Sequence, residues 1–149
     1  MKFFADLHVH SHFSRATSRA LDPEHLALWG KKKGIALIGT GDFTHAGWVS
    51  ELRDKLIEAE DGIYRLKPEL EVMIDREIPA SCRKPAGFLL TGEISCIYKR
   101  AGKTRKLHNL ILMPDMSAVL RLNERLGRIG NLDSDGRPIL GLDSRDLLE

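Results

Sequence analysis

Two histidines and an aspartate alternate near the start of the chain, in the run Asp6-Leu7-His8-Val9-His10. Residues two apart in a strand point to the same side, so these three side chains are predicted to project together. Two imidazoles at this spacing can bind one divalent ion, and Asp6 would orient one ring by accepting its second N–H. The alternative is two histidines that merely alternate on a half-exposed strand. Their clustering at the end of an apolar strand favours metal binding.

Further carboxylates and imidazoles follow other apolar segments of the chain. In barrels and open α/β sheets, side chains at the carboxyl ends of the strands meet at one edge, where binding sites form. Such a set suits a hydrolase with two or three metal ions, which generate hydroxide and neutralise a phosphoryl group. The structural alternatives are Asp42 as a helix cap, Glu93 as a solvated strand end and His108 as a hairpin histidine. The predicted ligands are His8, His10, Asp42, His45, Glu93 and His108, with Glu93 and Asp42 as catalytic carboxylates.

Length and composition indicate one globular domain. The 149 residues suffice for one domain, and 42% hydrophobic with 30% charged residues is a globular composition. No apolar run approaches the length of a membrane span, and no signal-peptide pattern is present. Cys82 and Cys96 are too few and too isolated for a disulfide framework or a cysteine zinc site, which predicts a reducing, cytoplasmic location. The net charge of +2 indicates no partner by itself.

Strand and helix patterns alternate through the first half of the chain. Asp22-Pro23-Glu24 predicts a helix start, and this helix is expected to run to Lys33 and to end at Gly34. Ile35–Gly39 is a short apolar run typical of a strand that is buried on both faces. Trp48–Glu60 is predicted to be an amphipathic helix. A strand–helix–strand–helix order predicts a parallel sheet or barrel.

The rest of the chain shows shorter patterns. Two strand-like segments, Ile94–Lys99 and Lys106–Met113, flank a polar connection, which predicts a β-hairpin. The strand before it, Phe88–Glu93, ends in a carboxylate. The other predictions, in chain order, are a turn at Asp61-Gly62, a strand at Ile63–Leu66, a helix or surface excursion at Pro68–Ile78, a loop at Pro79–Gly87, a helix at Met116–Gly127, turns at Asp133–Gly136 and Leu140–Asp143, and the start of a helix at Asp146–Glu149.

Basic residues crowd the predicted hairpin next to His108. Such a cluster would neutralise DNA phosphates, and binding would then depend strongly on salt. The alternative, charged residues at a solvated hairpin tip, is the commoner case, but the neighbouring candidate ligand favours DNA contact. Trp29 and Trp48 are interpreted as helix-packing residues. The predicted nucleic-acid contacts are Lys99, Arg100, Lys103, Arg105 and Lys106.

The chain resembles the PHP (polymerase and histidinol phosphatase) superfamily of metal-dependent phosphoesterases. The segments that carry this resemblance are residues 6–10, residues 40–42, Gly92-Glu93 and His108. More narrowly, the runs at 13–18, 39–45, 89–99 and 129–149 resemble the endonuclease Q branch. The resemblance implies the N-terminal part of a distorted seven-stranded (β/α) barrel with a β-hairpin insertion. It also implies an enzyme that cuts DNA on the 5′ side of deaminated bases such as uracil and hypoxanthine, or at abasic sites.

The resemblance assigns a role to each candidate ligand. Zinc, manganese, iron and magnesium are all compatible with such ligands. Two positions depart from the superfamily pattern: Ala16 stands where many members have His or Asp, and Thr40-Gly41-Asp42 replaces Thr-Asp-His. Both departures concern a third metal position. The implied roles are His8 and His10 for a first ion, Glu93 as the bridge, His108 for a second ion, and Asp42 with His45 for a third position or its surroundings.

The superfamily supplies further ligands from later strands, yet no histidine follows His108. We therefore expect residues 1–149 to be one PHP-like metallohydrolase domain that is incomplete at its C-terminus, either a fragment or a naturally split product. Alone, it should bind metal weakly and have little nuclease activity. An unfinished barrel should also expose apolar sheet edge, which favours self-association.

Two other functions remain open. One is a phosphoesterase of the same superfamily that acts on small phosphate esters, against which the basic hairpin and the run at 129–149 argue. The other is a non-catalytic metal-binding module, which Ala16 and the missing C-terminal ligands favour. A helicase-type phosphate site is not indicated, because the sequence contains no G-x-x-x-x-G-K-[ST] motif.

Overall fold

The computed structural model describes residues 2–149 as a mixed α/β fold with a seven-stranded sheet. The strands are β1 (Phe4–Asp6), β2 (Ile35–Gly39), β3 (Leu56–Glu60), β4 (Ile63–Leu66), β5 (Gly87–Arg100), β6 (Lys103–Met113) and β7 (Ile139–Leu140). The order is β1-β2-β5-β4-β3, and β6 and β7 also pair with β5. β1, β2 and β5 are parallel neighbours, as the sequence predicts, whereas β4 and β6 run antiparallel to β5. Within the described residues the sheet is not closed, and it is consistent with part of a β/α barrel.

The first helix, α1 (Pro23–Lys33), begins and ends where the sequence predicts. The Asp22 side chain accepts a hydrogen bond from the backbone N–H of His25 at 2.8 Å. At the other end, Gly34 adopts a left-handed conformation with φ 73°, and its N–H bonds the last carbonyls of the helix. These two caps set the connection between β1 and β2.

The predicted helix Trp48–Glu60 is wrong in its second half. Helix α2 (Ala46–Lys55) ends early, and the next five residues form β3. β3 pairs with β4 in antiparallel register, with Leu56 opposite Leu66, both of them buried. Ile57-Glu58-Ala59-Glu60 is compatible with a helix locally, but pairing with a strand beyond the predicted turn outweighs that preference.

The remaining elements follow the predicted order with shifted boundaries. The two strand segments predicted on either side of Glu93 are one continuous strand, β5. The segment predicted as a turn at Leu140–Asp143 contributes Leu140 to β7, and Asp143 caps the last helix. The other helices are α3 (Pro68–Arg76), a short 3₁₀ turn at Ala80–Cys82, α4 (Met116–Gly127) and α5 (Ser144–Leu148).

Two groups of buried apolar side chains hold these elements together. The larger group includes Trp48 and Phe88, which are both fully buried. The smaller group joins Cys96 of β5 to Leu140 of β7 and Leu126 of α4. The smaller core therefore fixes the second half of β5 against the end of the chain.

An apolar surface remains at the free edge of β1. Among the described residues this strand pairs only with β2, and Phe3 and Phe4 are 61% and 76% exposed. The interpretation of Trp29 as a packing residue is wrong, because its side chain is 53% exposed beside Lys32. No helix in the part of the chain that the structure describes is both long and apolar enough to cross a membrane.

Candidate metal centre

His8, His10 and Glu93 form the one cluster of possible metal ligands found among residues 2–149. β1 ends at Asp6, so the two histidines lie in the loop that leaves the strand rather than on the strand itself. Nε2 of His8 lies 2.6 Å from Oε2 of Glu93, and Nε2 of His10 lies 3.5 Å from the same oxygen. One ligand atom from each residue lies within 4.8 Å of the others.

The loop reaches Glu93 because it rests directly on the exit of β2. Gly41 has φ +66°, and a Cβ placed on it would lie 2.3 Å from the carbonyl oxygen of Val9. The backbone N–H of Gly41 also donates to Oγ1 of Thr91 on β5 at 2.9 Å. Only glycine combines this backbone conformation with so close an approach. The exits of β1 and β2 are thereby joined to β5 around the two histidines.

Glu93 is an acid buried without enough hydrogen-bond donors. Its side chain is 3% exposed, and its Oε1 has no hydrogen-bond partner among the described residues. Nδ1 of His108 lies 2.7 Å from this oxygen, but without hydrogen-bonding geometry. A buried carboxylate oxygen of this kind is costly unless a donor or a cation reaches it. Imidazoles and one carboxylate around a single point are donors that suit a divalent metal ion, so the residues fit such a group.

His108 approaches the cluster from β6. In the hairpin register it stands opposite Ser95, on the same side as Glu93. Its side chain is 61% exposed, whereas that of His10 is 22% exposed. His108 therefore borders the cluster on its solvent-exposed side.

Asp42 lies directly behind His10. Its Oδ1 is 3.0 Å from Nδ1 of His10, and its Oδ2 accepts hydrogen bonds from the N–H and hydroxyl of Ser11, both at 2.7 Å, and from the hydroxyl of Ser14 at 2.8 Å. Burial alone would raise the pKa of this carboxyl, but the hydrogen bonds outweigh it and hold the pKa below the ordinary 3.8. With Nδ1 donating to Asp42, the lone pair of neutral His10 is on Nε2, which faces Glu93.

Asp42 thus has the orienting position that the sequence assigned to Asp6. Asp6 itself is exposed, and no hydrogen bond from it to either histidine occurs in the described part of the chain. It borders a cavity with His25 and Trp29 instead. Asp42 has φ 50°, a left-handed conformation that is strained for most residues but tolerated by aspartate.

The structure does not bring His45 to the cluster. It is the N-cap of α2, where its Nδ1 accepts a hydrogen bond from the backbone N–H of Gly47 at 3.2 Å. Its ring stacks on Phe13, with centroids 4.3 Å apart. Ala16, at the other position that departs from the superfamily pattern, is exposed with φ 60°.

The five predicted DNA-contacting residues are all exposed on the hairpin. One of them, Arg100, bonds Oδ2 of Asp143 at 2.7 Å. Sequence reasoning missed the residues around Asp42, namely Ser11, Ser14 and Gly136. The available signal for Ser14 was its position in the run at 13–18, which carries the resemblance. Gly136 was indicated only as part of a predicted turn, and nothing in the sequence singled out Ser11.

The fold and this cluster together define an α/β unit with a candidate metal site, and comparisons with known proteins give it relatives. No family model matches the chain. Over 145 residues it is 32% identical to an uncharacterized protein of Methanocaldococcus jannaschii, an alignment covering 97% of this chain and 14% of that protein.

Two solved structures have a similar fold. One is Endonuclease Q in complex with a 27-mer duplex that has an abasic lesion at the active site; the TM-score is 0.70 at 29% identity, covering 93% of this chain and 29% of that one. The other is a lesion-specific endonuclease from Pyrococcus furiosus, with a TM-score of 0.69 at 27% identity, covering 96% of this chain and 30% of that one. The chain thus spans less than a third of the length of these relatives. The similarity to Endonuclease Q is confirmed at this level.

Proposed function

We propose that this chain carries the metal centre of a DNA endonuclease that cuts at damaged sites. The observation that carries the proposal is the buried Glu93 carboxylate surrounded by His8, His10 and His108, in a chain 29% identical to the matched part of Endonuclease Q. Imidazole-rich ligands favour zinc or iron over magnesium.

The residues of this chain divide the work between binding and orientation. His8, His10, Glu93 and His108 would hold the ion or ions, and Asp42 fixes the ring of His10 through its Nδ1. A divalent ion bound here would supply a hydroxide near neutral pH and neutralise charge on a phosphoryl group. Because His8 and His108 are more than half exposed, a large phosphodiester has access to the centre.

The preferred substrate is DNA rather than a small phosphate ester. The centre lies at the base of a hairpin that carries the five basic side chains Lys99, Arg100, Lys103, Arg105 and Lys106. A small ester needs no such extension, whereas a duplex presents many phosphates beyond the one that is cut. We propose cleavage 5′ to uracil, hypoxanthine or an abasic site.

We also propose that residues 1–149 form one metallohydrolase domain that alone binds metal weakly and nicks DNA poorly. The chain corresponds to 29% of the Endonuclease Q chain, and we propose that further ligands and the lesion contacts come from parts of such an enzyme outside this match. Among residues 2–149, the cluster offers three ligands within 4.8 Å, plus His108 at its solvent side. A closed catalytic centre with two or three ions needs more ligands than these.

The test is a nicking assay on duplexes with a single deoxyuridine, deoxyinosine or abasic site, with added manganese, zinc or magnesium. It compares the 149-residue chain with the full product of its gene, and each with its His8→Ala variant. His25→Ala is the matched control, because His25 is similarly exposed but bonds Asp22 away from the cluster. Metal content is measured in parallel by elemental analysis.

We expect lesion-specific, metal-dependent nicking by the full gene product, lost in His8→Ala and retained in His25→Ala. Cleavage of p-nitrophenyl phosphate without any nicking would support the small-ester phosphoesterase instead. Bound metal with neither activity would contradict an enzymatic role and favour a metal-binding module.

A further inference from the structure

The hairpin next to the metal centre has two faces of different character. β5 and β6 pair without interruption from Leu90 opposite Met113 to Arg100 opposite Lys103. In a regular antiparallel pair, directly opposed residues share a face and successive residues alternate between faces. Glu93 and His108 therefore lie on one face, which we call the metal face.

Two of the basic side chains belong to the metal face. Lys106 precedes His108 by two positions on β6 and stands opposite Ile97. Lys99 is opposite Thr104, a further two positions along the same row. At a rise of about 3.4 Å per residue, each step of two moves about 7 Å along the strand. This spacing is close to that between successive phosphates along one DNA strand.

The other three basic residues belong to the opposite face. In the same register Arg105 stands opposite Tyr98, and Arg100 opposite Lys103. Contacts confirm the orientation of this face: Arg100 bonds Asp143 at 2.7 Å, and Asn109 accepts a hydrogen bond from the hydroxyl of Ser144 at 3.1 Å. This face is turned towards the last helix of the chain and away from the metal centre.

We propose that Lys106 and Lys99 form a phosphate track that leads from the metal centre along the hairpin, and that Arg100, Lys103 and Arg105 are not part of it. The inference rests on the proposed function, since it takes the ligand to be a DNA strand whose scissile phosphate lies at Glu93 and His108. Both lysines are exposed, and neither has an ion-pair partner among residues 2–149. Their ammonium groups are free to replace counterions along the backbone.

The track predicts that a substrate strand lies along the hairpin instead of across it. A strand that passes His108 on the metal face meets Lys106 next and then Lys99, without turning around an edge of the ribbon. Reaching Arg105 or Lys103 would require the strand to cross β6 to the other face. Arg100 is additionally held by the Asp143 carboxylate, which neutralises it locally.

Adjacent residues of the hairpin provide matched pairs for a test. Lys106→Gln and Arg105→Gln remove one positive charge from neighbouring exposed positions on opposite faces, and Lys99→Gln and Lys103→Gln do the same near the tip. Binding of a fluorescein-labelled abasic-site duplex is followed by anisotropy over a series of salt concentrations, for the 149-residue chain and the full product of its gene. EDTA is present, so that cleavage does not interfere.

We expect Lys106→Gln and Lys99→Gln each to weaken binding roughly five- to ten-fold at 0.1 M salt and to reduce the slope of log K against log salt by about 1. Arg105→Gln and Lys103→Gln should leave the affinity within about two-fold of the wild-type value, which is the scatter of such titrations, and should leave the salt slope unchanged. Equal losses in all four variants would overturn the track, because the charge would then act regardless of face. No loss in any variant, or no DNA binding, would overturn it as well.

The test separates this inference from the proposed function. If the full product shows metal-dependent nicking but the variants on both faces lose binding equally, the proposed function stands and the track is wrong. A difference between the faces without any nicking would support a DNA-binding track beside a centre that is not catalytic, and the proposed function would fail alone.

Discussion

Gly136 lies directly against the carboxylate of Asp42. A Cβ placed on Gly136 would lie 2.3 Å from Oδ2 of Asp42 and 2.6 Å from Oγ of Ser14, so no larger residue fits without movement. The turn is held in place by its own backbone, since the N–H of Gly136 donates to the carbonyl of Phe13 at 3.1 Å and its carbonyl accepts from Oγ1 of Thr44 at 3.2 Å. A turn near the end of the sequence thus supports the residue that orients His10.

This relationship predicts the effect of Gly136→Ala. The added methyl group would push the Asp42 carboxylate away from His10 and loosen the ring that faces Glu93. Loss of an orienting partner of this kind lowers metal affinity by roughly 10–100-fold, and we expect a loss in that range. Competition of the protein with a metal-sensitive dye measures it.

Gly141→Ala is the control for this prediction. Gly141 has no atom within 4 Å of a built Cβ and does not have a positive φ. The Gly141→Ala variant should therefore bind metal with the same affinity as the wild type. Equal affinity for Gly136→Ala and the wild type would show that Asp42 does not need its present position.

Glu93→Gln should remove metal binding while leaving the fold intact. The carboxylate contacts the imidazoles of His8, His10 and His108, and an amide is neutral and a poor metal ligand. Saturating metal should raise the melting temperature of the wild type, because a ligand that binds only the folded state stabilises it. We expect no such rise for Glu93→Gln.

The matched control is Glu124→Gln, which removes an exposed carboxylate that pairs with Arg128 on the far end of α4. It should keep the full metal-induced rise. A rise of equal size in Glu93→Gln would move the metal site away from this cluster.

Asp42→Asn should destabilise the fold even without metal. The carboxylate accepts three hydrogen bonds at Oδ2 from Ser11 and Ser14, and a carboxamide replaces one oxygen by an NH2 donor. If the NH2 group takes the place of Oδ2, it faces the donors of Ser11 and Ser14. If it takes the place of Oδ1, it can no longer accept a hydrogen bond from Nδ1 of His10. A buried polar group left unsatisfied costs about 1–3 kcal/mol, which urea denaturation measures.

Asp115→Asn is the comparison, because Asp115 caps α4 at the surface and asparagine caps equally well. It should leave the urea midpoint nearly unchanged. A midpoint for Asp42→Asn as high as that of Asp115→Asn would contradict the hydrogen bonding described around Asp42.

The sequence indicated the members of the cluster better than their arrangement. His8, His10, Glu93 and His108 were visible because residue type and closeness to apolar segments are local properties, although Glu93 and His108 lie within β5 and β6 rather than at strand ends. The orienting role was assigned to Asp6 because the alternation of residues does not show where β1 ends. Asp42 takes this position only because Gly41 lets two strand exits come together, which is a contact between segments distant in sequence.

Contacts between segments distant in sequence also explain the errors in the predicted fold. The segment from Leu56 to Glu60 has no strong local preference, and its pairing with Ile63–Leu66 decides its structure. Gly136 and the residues it supports lie far apart in the sequence. Its carbonyl accepts a hydrogen bond from Thr44, which is 92 positions away, and Asp42 is a little farther still. Such contacts leave no periodic pattern for a sequence analysis to detect.

The two cysteines should differ sharply in their reaction with thiol reagents. Cys96 of β5 is fully buried beside β7, and its Sγ accepts a hydrogen bond from the side chain of Asn109 at 3.2 Å. Burial raises the pKa of this thiol above its ordinary value of 9.0; the Asn109 hydrogen bond opposes the shift and the charge of Asp143 adds to it. Since the thiolate is the reactive form, Cys96 should be inert at neutral pH. Cys82 is partly exposed and should react first.

With an aromatic disulfide reagent at neutral pH, we expect one thiol to react quickly and the second only after denaturant is added. Cys82→Ser should abolish the fast phase and leave the slow one. The slow phase reports on the segment that covers Cys96, because Leu140 of β7 packs on it in the smaller core. Two fast thiols in the native chain would mean that this segment leaves β5 readily, and the face of the hairpin opposite the metal centre would then be open to solvent.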